Sequence, residues 1–178
     1  MPRVLLLDLD VHLGDGSATI FAADPTTTTA SMHCAAQSFP SIRPPSDLDV
    51  PLPAGTGDAD YAAALETLLE TLSAWHAGPQ GPFGLVLYNA GVDVHADDSL
   101  GLLALSDAGI QARDRAVMAW CARLNLPVAV AIGGGYSPHH GDIVRRHLCV
   151  HRAASEFAGE LQQAAWWAQR RTPPVMSL

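Results

Sequence analysis

The chain has 178 residues, 48% of them hydrophobic, and a formal charge of −8. That length suits one domain with a sizeable core, and that composition excludes a disordered chain. The negative balance argues against general affinity for nucleic acid, and no apolar run approaches the length of a membrane span.

The first predicted element is a strand over residues 3–9, built on the apolar run Val4-Leu5-Leu6-Leu7. Gly14-Asp15-Gly16 turns the chain, Ser17 to Ala23 reads as a short helix, and Asp24-Pro25 punctuates. Thr27 to His33, β-branched at first, predicts a second strand. Residues 34–57, rich in proline and glycine, read as one long ordered loop, and loops of that length are often functional. Asp58 to His76 places Tyr61, Leu65, Leu68, Leu69 and Leu72 on one side of a helix. Gly84 to Ala90 is a third strand, and Ser106 to Leu124 a helix with Ser106 as N-cap. Pro127 to Ile132 is a fourth strand, closed by Gly133-Gly134-Gly135-Tyr136. A helical stretch from about His139 to Arg171 follows, with a break expected near His151. The domain therefore spans 1–171, and 172–178 reads as a frayed tail.

Strands alternating with helices predict an α/β fold: a parallel sheet with flanking helices. The first strand has nothing before it in sequence, so an edge or flank is expected to lack cover, and such a flank can drive association. The opening Met-Pro-Arg leaves no room for a signal peptide. Cys34, Cys121 and Cys149 form no CxxC pair, which favours reduced thiols and a cytoplasmic location.

Chemistry gathers at the strand ends, because parallel strands bring their carboxyl ends to one rim. The first carries Asp8, Asp10 and His12, whose period of two can point them to one side. The third carries Asn89 to His95 with Asp93 among them, and the fourth carries the triple glycine and Tyr136. Asp10, His12 and Asp93 would make a metal site of one nitrogen and two carboxylates. Zinc fits such a set, and the hard ligands admit Fe²⁺ as well. Each acid taken singly could as well brace a turn. Glycines let backbone approach a ligand, and a phenol beside a metal can donate to a developing oxyanion. His139-His140 reads as exposed loop, and His33, His76, His147 and His151 as structural or surface residues.

These residues together resemble the histone deacetylase family, which shares the arginase/deacetylase fold with acetylpolyamine amidohydrolases. The segments that carry the resemblance are LLLDLDVHLGDGSATIF, SMH, DLDVPLPAGTGDADY, LYNAGVDVHADDSLGLLALSDAGIQARD and AIGGGY, spread from about Arg3 to His147. Leu13, where many members carry His or Gln, looks closer to bacterial or class IV-like members. The resemblance implies that Asp10, His12 and Asp93 are zinc ligands and that Tyr136 polarises the acyl carbonyl. It implies a structural potassium on Asp8 and Ser31, joined by the backbone of Asp10, His12 and Met32. It puts Gly134 and Gly135 along the acyl-lysine channel. The reaction implied is hydrolysis of acetyl-lysine or of a small acetylated amine.

The family's general base comes from a tandem His pair upstream of the DxDxH strand, and His139-His140 does not match that position. The chain therefore reads as a carboxyl-terminal portion of a partial arginase/deacetylase fold, with metal binding kept and turnover impaired. Two other readings stand beside this one. An apolar strand ending in DxD also opens Mg²⁺-dependent phosphatases of the haloacid dehalogenase type, but all ten basic residues are arginine and no lysine is present to hold a phosphate. A half-domain without its base could also serve as a non-catalytic metal-binding remnant or a regulatory module.

Overall fold

The computed structural model describes residues 3–162. Its elements are β1 (Arg3–Asp8), α1 (Asp15–Phe21), β2 (Thr27–Cys34), β3 (Leu48–Leu52), α2 (Asp58–His76), β4 (Phe83–Asn89), α3 (Asp107–Arg123), β5 (Val128–Ala131) and α4 (His140–Gln162). The five strands form one sheet in the order β3-β2-β1-β4-β5, and every pairing is parallel.

β1 lies at the centre because it is apolar throughout its middle. Leu5 and Leu7 alternate toward one face and are fully buried, in register with Val86 and Tyr88 of β4. That face carries the core. Tyr61, Leu65, Leu68 and Leu72 of α2 pack there with Ile110, Val117, Met118 and Trp120 of α3. Trp120 Nε1 donates to Ser73 Oγ at 2.9 Å and ties the two helices together. α4 packs on α3 and adds Cys149, Val150 and Ala153 to the same core. On the other face Leu6, Leu87 and Ala129 share one row, and α1 covers only the β1–β2 side of it. The helix caps follow their sequence. Ser106 Oγ accepts from Gly109 N at 3.1 Å, as an N-cap does, and Asp58 and Asp60 lie in the first turn of α2, where the helix dipole favours acids.

The α/β architecture with flanking helices is the predicted one, and three details differ. The stretch read as loop over 34–57 contains β3, which pairs through Met32–Val50 and Cys34–Leu52. Pro51 hides this strand in the sequence, and it is tolerated because β3 is an edge with one neighbour only. The short helix begins at Asp15 rather than Ser17. α4 runs unbroken through His151 to Gln162, and the expected helix beyond residue 162 and the tail lie outside the described residues. An edge or flank without cover is expected; the exposed apolar residues Leu87, Val130 and Ile132 lie at the β4–β5 side of the sheet, while β1 is central. Cys34, Cys121 and Cys149 are free and buried. No helix among the described residues is long and apolar enough to cross a membrane.

Because Leu7 is 1% exposed in the centre of the core, Leu7→Ala should cost ~2–5 kcal/mol in urea unfolding. Ile20, 74% exposed on α1, should tolerate Ser within ~0.5 kcal/mol in the same assay.

Candidate metal centre

Beyond Asp8 the chain curls through two successive side-chain-closed turns. Asp8 Oδ1 accepts from the backbone N–H of Asp10 at 3.0 Å, and Asp10 Oδ1 accepts from that of His12 at 3.0 Å. Each short acid satisfies the amide two residues on, which fixes the curl. Asp93 enters from the segment after β4, and its Oδ1 accepts from Val11 N at 2.9 Å. His12 Nδ1 then lies 3.0 Å from Asp10 Oδ1 and 3.2 Å from Asp93 Oδ2. One ligand atom from each of the three residues falls within 4.8 Å of the others.

Glycines let the rim close on this cluster. Gly134 N donates to Asp10 Oδ2 at 2.9 Å, and a Cβ at Gly134 would fall on the Asp93 carboxylate. A Cβ at Gly91 would strike Asp10 in the same way. Glycine is needed at both positions for close approach. Gly135 packs against Val92 and Ile143, one residue further along the rim.

From behind, Arg113 joins the two strand ends. Its guanidinium donates to the carbonyls of Gly91 at 2.6 Å and Leu9 at 3.3 Å. Asp114 beside it carries the opposite charge, 3.0 Å away, and accepts from the Tyr88 hydroxyl at 2.7 Å. All three side chains are buried.

The electrostatics favour a cation. Burial, with Asp10 adding to it, pushes Asp93 up to about 6. Burial also works to raise Asp10, but the bonds from His12 overcome it and hold that carboxyl below its ordinary value. The bond to Asp10, then the bond to Asp93, raises His12 to about 10. A proton on Nδ1 thus sits where a metal ion would lie. Asp93 Oδ2 is buried and faces His12 Nδ1 at 3.2 Å, an acceptor that such an ion would use. One imidazole nitrogen and two carboxylates fit zinc or ferrous iron.

Two aromatic rings stand at the mouth. Tyr136 and Phe39 lie edge-on to His12, at ring-centroid distances of 6.3 and 6.0 Å. They are 45% and 67% exposed, which marks this side as the opening. Tyr136 N donates to Asp98 Oδ2 at 2.7 Å, while Asp98 Oδ1 accepts from Leu100 N and Gly101 N. Burial, then Asp93 and Asp10, raises the phenol, so it keeps its proton at neutral pH.

Asp8 and Ser31 are register partners on neighbouring strands. Burial pushes Asp8 up to about 7 against the bonds it accepts from Asp10 N and Asn89 Nδ2. Ser31 Oγ lies 3.1 Å from His33 Nδ1, and the Met32 side chain is fully buried, so only its backbone is available to an ion. His95 turns away from the cluster, with Nε2 3.3 Å from Asp107 Oδ1. His139 and His140 are exposed at the start of α4 and make no bond to Asp10, His12 or Asp93. Phe39, Gln37 and Arg113 were not singled out by sequence, and Asp98 stands there only as an acid beyond the third strand end. Only the unusual length of the proline-rich segment pointed toward the first two.

The family model of the histone deacetylase domain matches residues 1–151. An uncharacterized protein of Picosynechococcus sp. is 47% identical over 154 residues, covering 86% of this chain and 49% of that protein. Histone deacetylase 2 of Arabidopsis thaliana is 34% identical over 141 residues, covering 75% of this chain and 34% of that one. Among solved structures, an acetylpolyamine aminohydrolase from Burkholderia pseudomallei superposes with a TM-score of 0.67 at 23% identity, over 85% of this chain and 44% of that one. That likeness shows the shared fold. The chain spans half or less of the length of these proteins.

In metal-free, potassium-free buffer Asp8 binds its proton more tightly folded than unfolded. Its contribution to stability is present below about pH 4 and is lost as pH rises through about 7. Asp8→Asn should remove that loss, with the difference from wild type growing to on the order of 3 kcal/mol by pH 8 in thermal unfolding. Wild-type and variant curves that stay parallel from pH 5 to 8 would contradict this.

Proposed function

The chain belongs to the histone deacetylase domain family, and on that premise we propose that it carries the metal centre of an amidohydrolase acting on acetyl-lysine or a small acetylated amine. The observation that carries this reading is the convergence of Asp10, His12 and Asp93 beneath the ring of Tyr136. These three residues would hold the metal, zinc before ferrous iron. When bound, the ion supplies Lewis acidity toward an amide carbonyl and lowers the pKa of water.

The protein's own groups do the rest. The Tyr136 phenol, protonated at neutral pH, donates to the oxygen on which negative charge develops. Gly134 and Gly135 leave room for the acyl chain beside the ligands, and Phe39 walls the mouth. Asp8, Ser31 and the backbone of Asp10, His12 and Met32 would hold a potassium ion, which explains a carboxyl buried beside two others. Leu13 supports a bacterial or class IV-like relationship, and the free buried cysteines agree with a reducing cytoplasm.

Hydrolysis also needs a base to take a proton from water and return it to the leaving amine. Neither His139 nor His140 bonds to the site. This chain by itself is therefore expected to bind metal and turn over slowly, which keeps a binding or regulatory role as the second reading. A phosphatase mechanism would need Asp8 as nucleophile. The family match, over residues 1–151, sets that reading aside.

Zinc uptake, measured by competition with a chromophoric chelator, should be stoichiometric for the wild type and lost in Asp93→Ala. Tyr136→Phe should keep the metal and lower any residual cleavage of an acetyl-lysine peptide by roughly 10²–10³-fold. Efficient turnover by the chain alone, abolished by Asp93→Ala, would overturn the expected impairment. No zinc uptake at all would overturn the metal reading.

A further inference from the structure

Gln37 is an unexpected neighbour of the metal cluster. It lies on the segment after β2, and only 7% of it is exposed. Its backbone is held twice, its N–H donating to Cys34 O and its carbonyl accepting from the Arg43 guanidinium, and Cys34 N in turn donates to Val11 O at 2.9 Å. Val11 directly precedes His12, so the amide of Gln37 is brought to the far side of that imidazole. Its nitrogen lies 3.1 Å from His12 Nε2 and donates to the Leu100 carbonyl at 2.9 Å. Its oxygen, Oε1, is buried with no partner.

An imidazole that turns Nδ1 toward a metal carries its proton on Nε2 and needs an acceptor there. Gln37 is the only hydrogen-bonding side chain that meets Nε2 among the described residues. We propose that Gln37 is a positioning residue for His12: with its planar amide turned end for end, the orphaned Oε1 accepts the Nε2–H. This holds the ring with Nδ1 toward Asp10 and Asp93. The turn exchanges the bond to Leu100 for one to the ligand. The groups that orient a ligating histidine typically change metal affinity by 10–100-fold when they are removed.

The proposal rests on the metal reading above. Its test separates accepting from His12 and donating to Leu100. Gln37→Leu removes both bonds, whereas Gln37→Glu keeps an acceptor for Nε2–H and loses the donor to Leu100. Zinc affinity is measured on the whole chain by chelator competition, with the cobalt absorption spectrum as a second readout and circular dichroism as a check on folding. Gln37→Leu should weaken zinc by roughly 10–100-fold with the fold intact, and Gln37→Glu should match or exceed the wild type. If the Leu variant binds like the wild type, or the Glu variant is as weak as the Leu variant, the proposal is overturned while the metal site stands. Should the Leu variant not fold, Gln37→Glu decides alone: affinity at or above wild type upholds the proposal, and weakening overturns it. A wild type that takes up no zinc overturns both readings together.

Discussion

The structure depends on keeping the carboxylates of Asp10 and Asp93 side by side and largely out of water. Like charges in low dielectric repel strongly, and each loses hydration as well. Here the repulsion is met locally. Asp93 Oδ1 and Asp10 Oδ1 each accept a backbone N–H, Gly134 supplies another to Asp10, and the His12 ring lies between the two acids. Arg113 ties together the peptides that carry them and has its own counter-ion in Asp114. The bend after β1 and the glycines on the opposite rim serve this requirement.

The parts of this arrangement legible in the sequence are those written in short local patterns. Val4 to Leu7 announce a buried strand by their continuity, and Asp8, Asp10 and His12 announce a strand end by their period. Asp93 and the glycines before Tyr136 stand at equivalent places after two other strands. Ser106 caps its helix by the local chemistry that sequence reading relies on. β3 was hidden because Pro51 argues against a strand, and only its edge position removes the objection. Gln37, Phe39 and the part Asp98 plays were hidden for another reason. Each is a single residue in irregular chain, and its role comes from what the fold brings next to it. Arg113 was the hardest to find, since an arginine inside an amphipathic helix ordinarily reads as surface. Its burial exists only because two carbonyls and a carboxylate meet it there.

Asp98 shows how little separates the parts of the site. One of its oxygens holds the Leu100 and Gly101 amides, and the other holds the amide of Tyr136. Leu100 offers its carbonyl to Gln37, which reaches His12. The backbone of Tyr136 and the imidazole of His12 are thus joined through a short run of hydrogen bonds that bypasses Asp10 and Asp93.

The separation of the ligands along the chain has a kinetic consequence. Val11 and Asp93 meet across 82 residues, and Asp10 and Gly134 across 124. Every strand pairing is parallel, so none can close through a tight hairpin, and β1 must wait for β4 before its second neighbour exists. Contacts of such long range form slowly. The cluster of Asp10, His12 and Asp93 therefore exists only once strands distant in sequence have paired, and no local piece of the chain can assemble it.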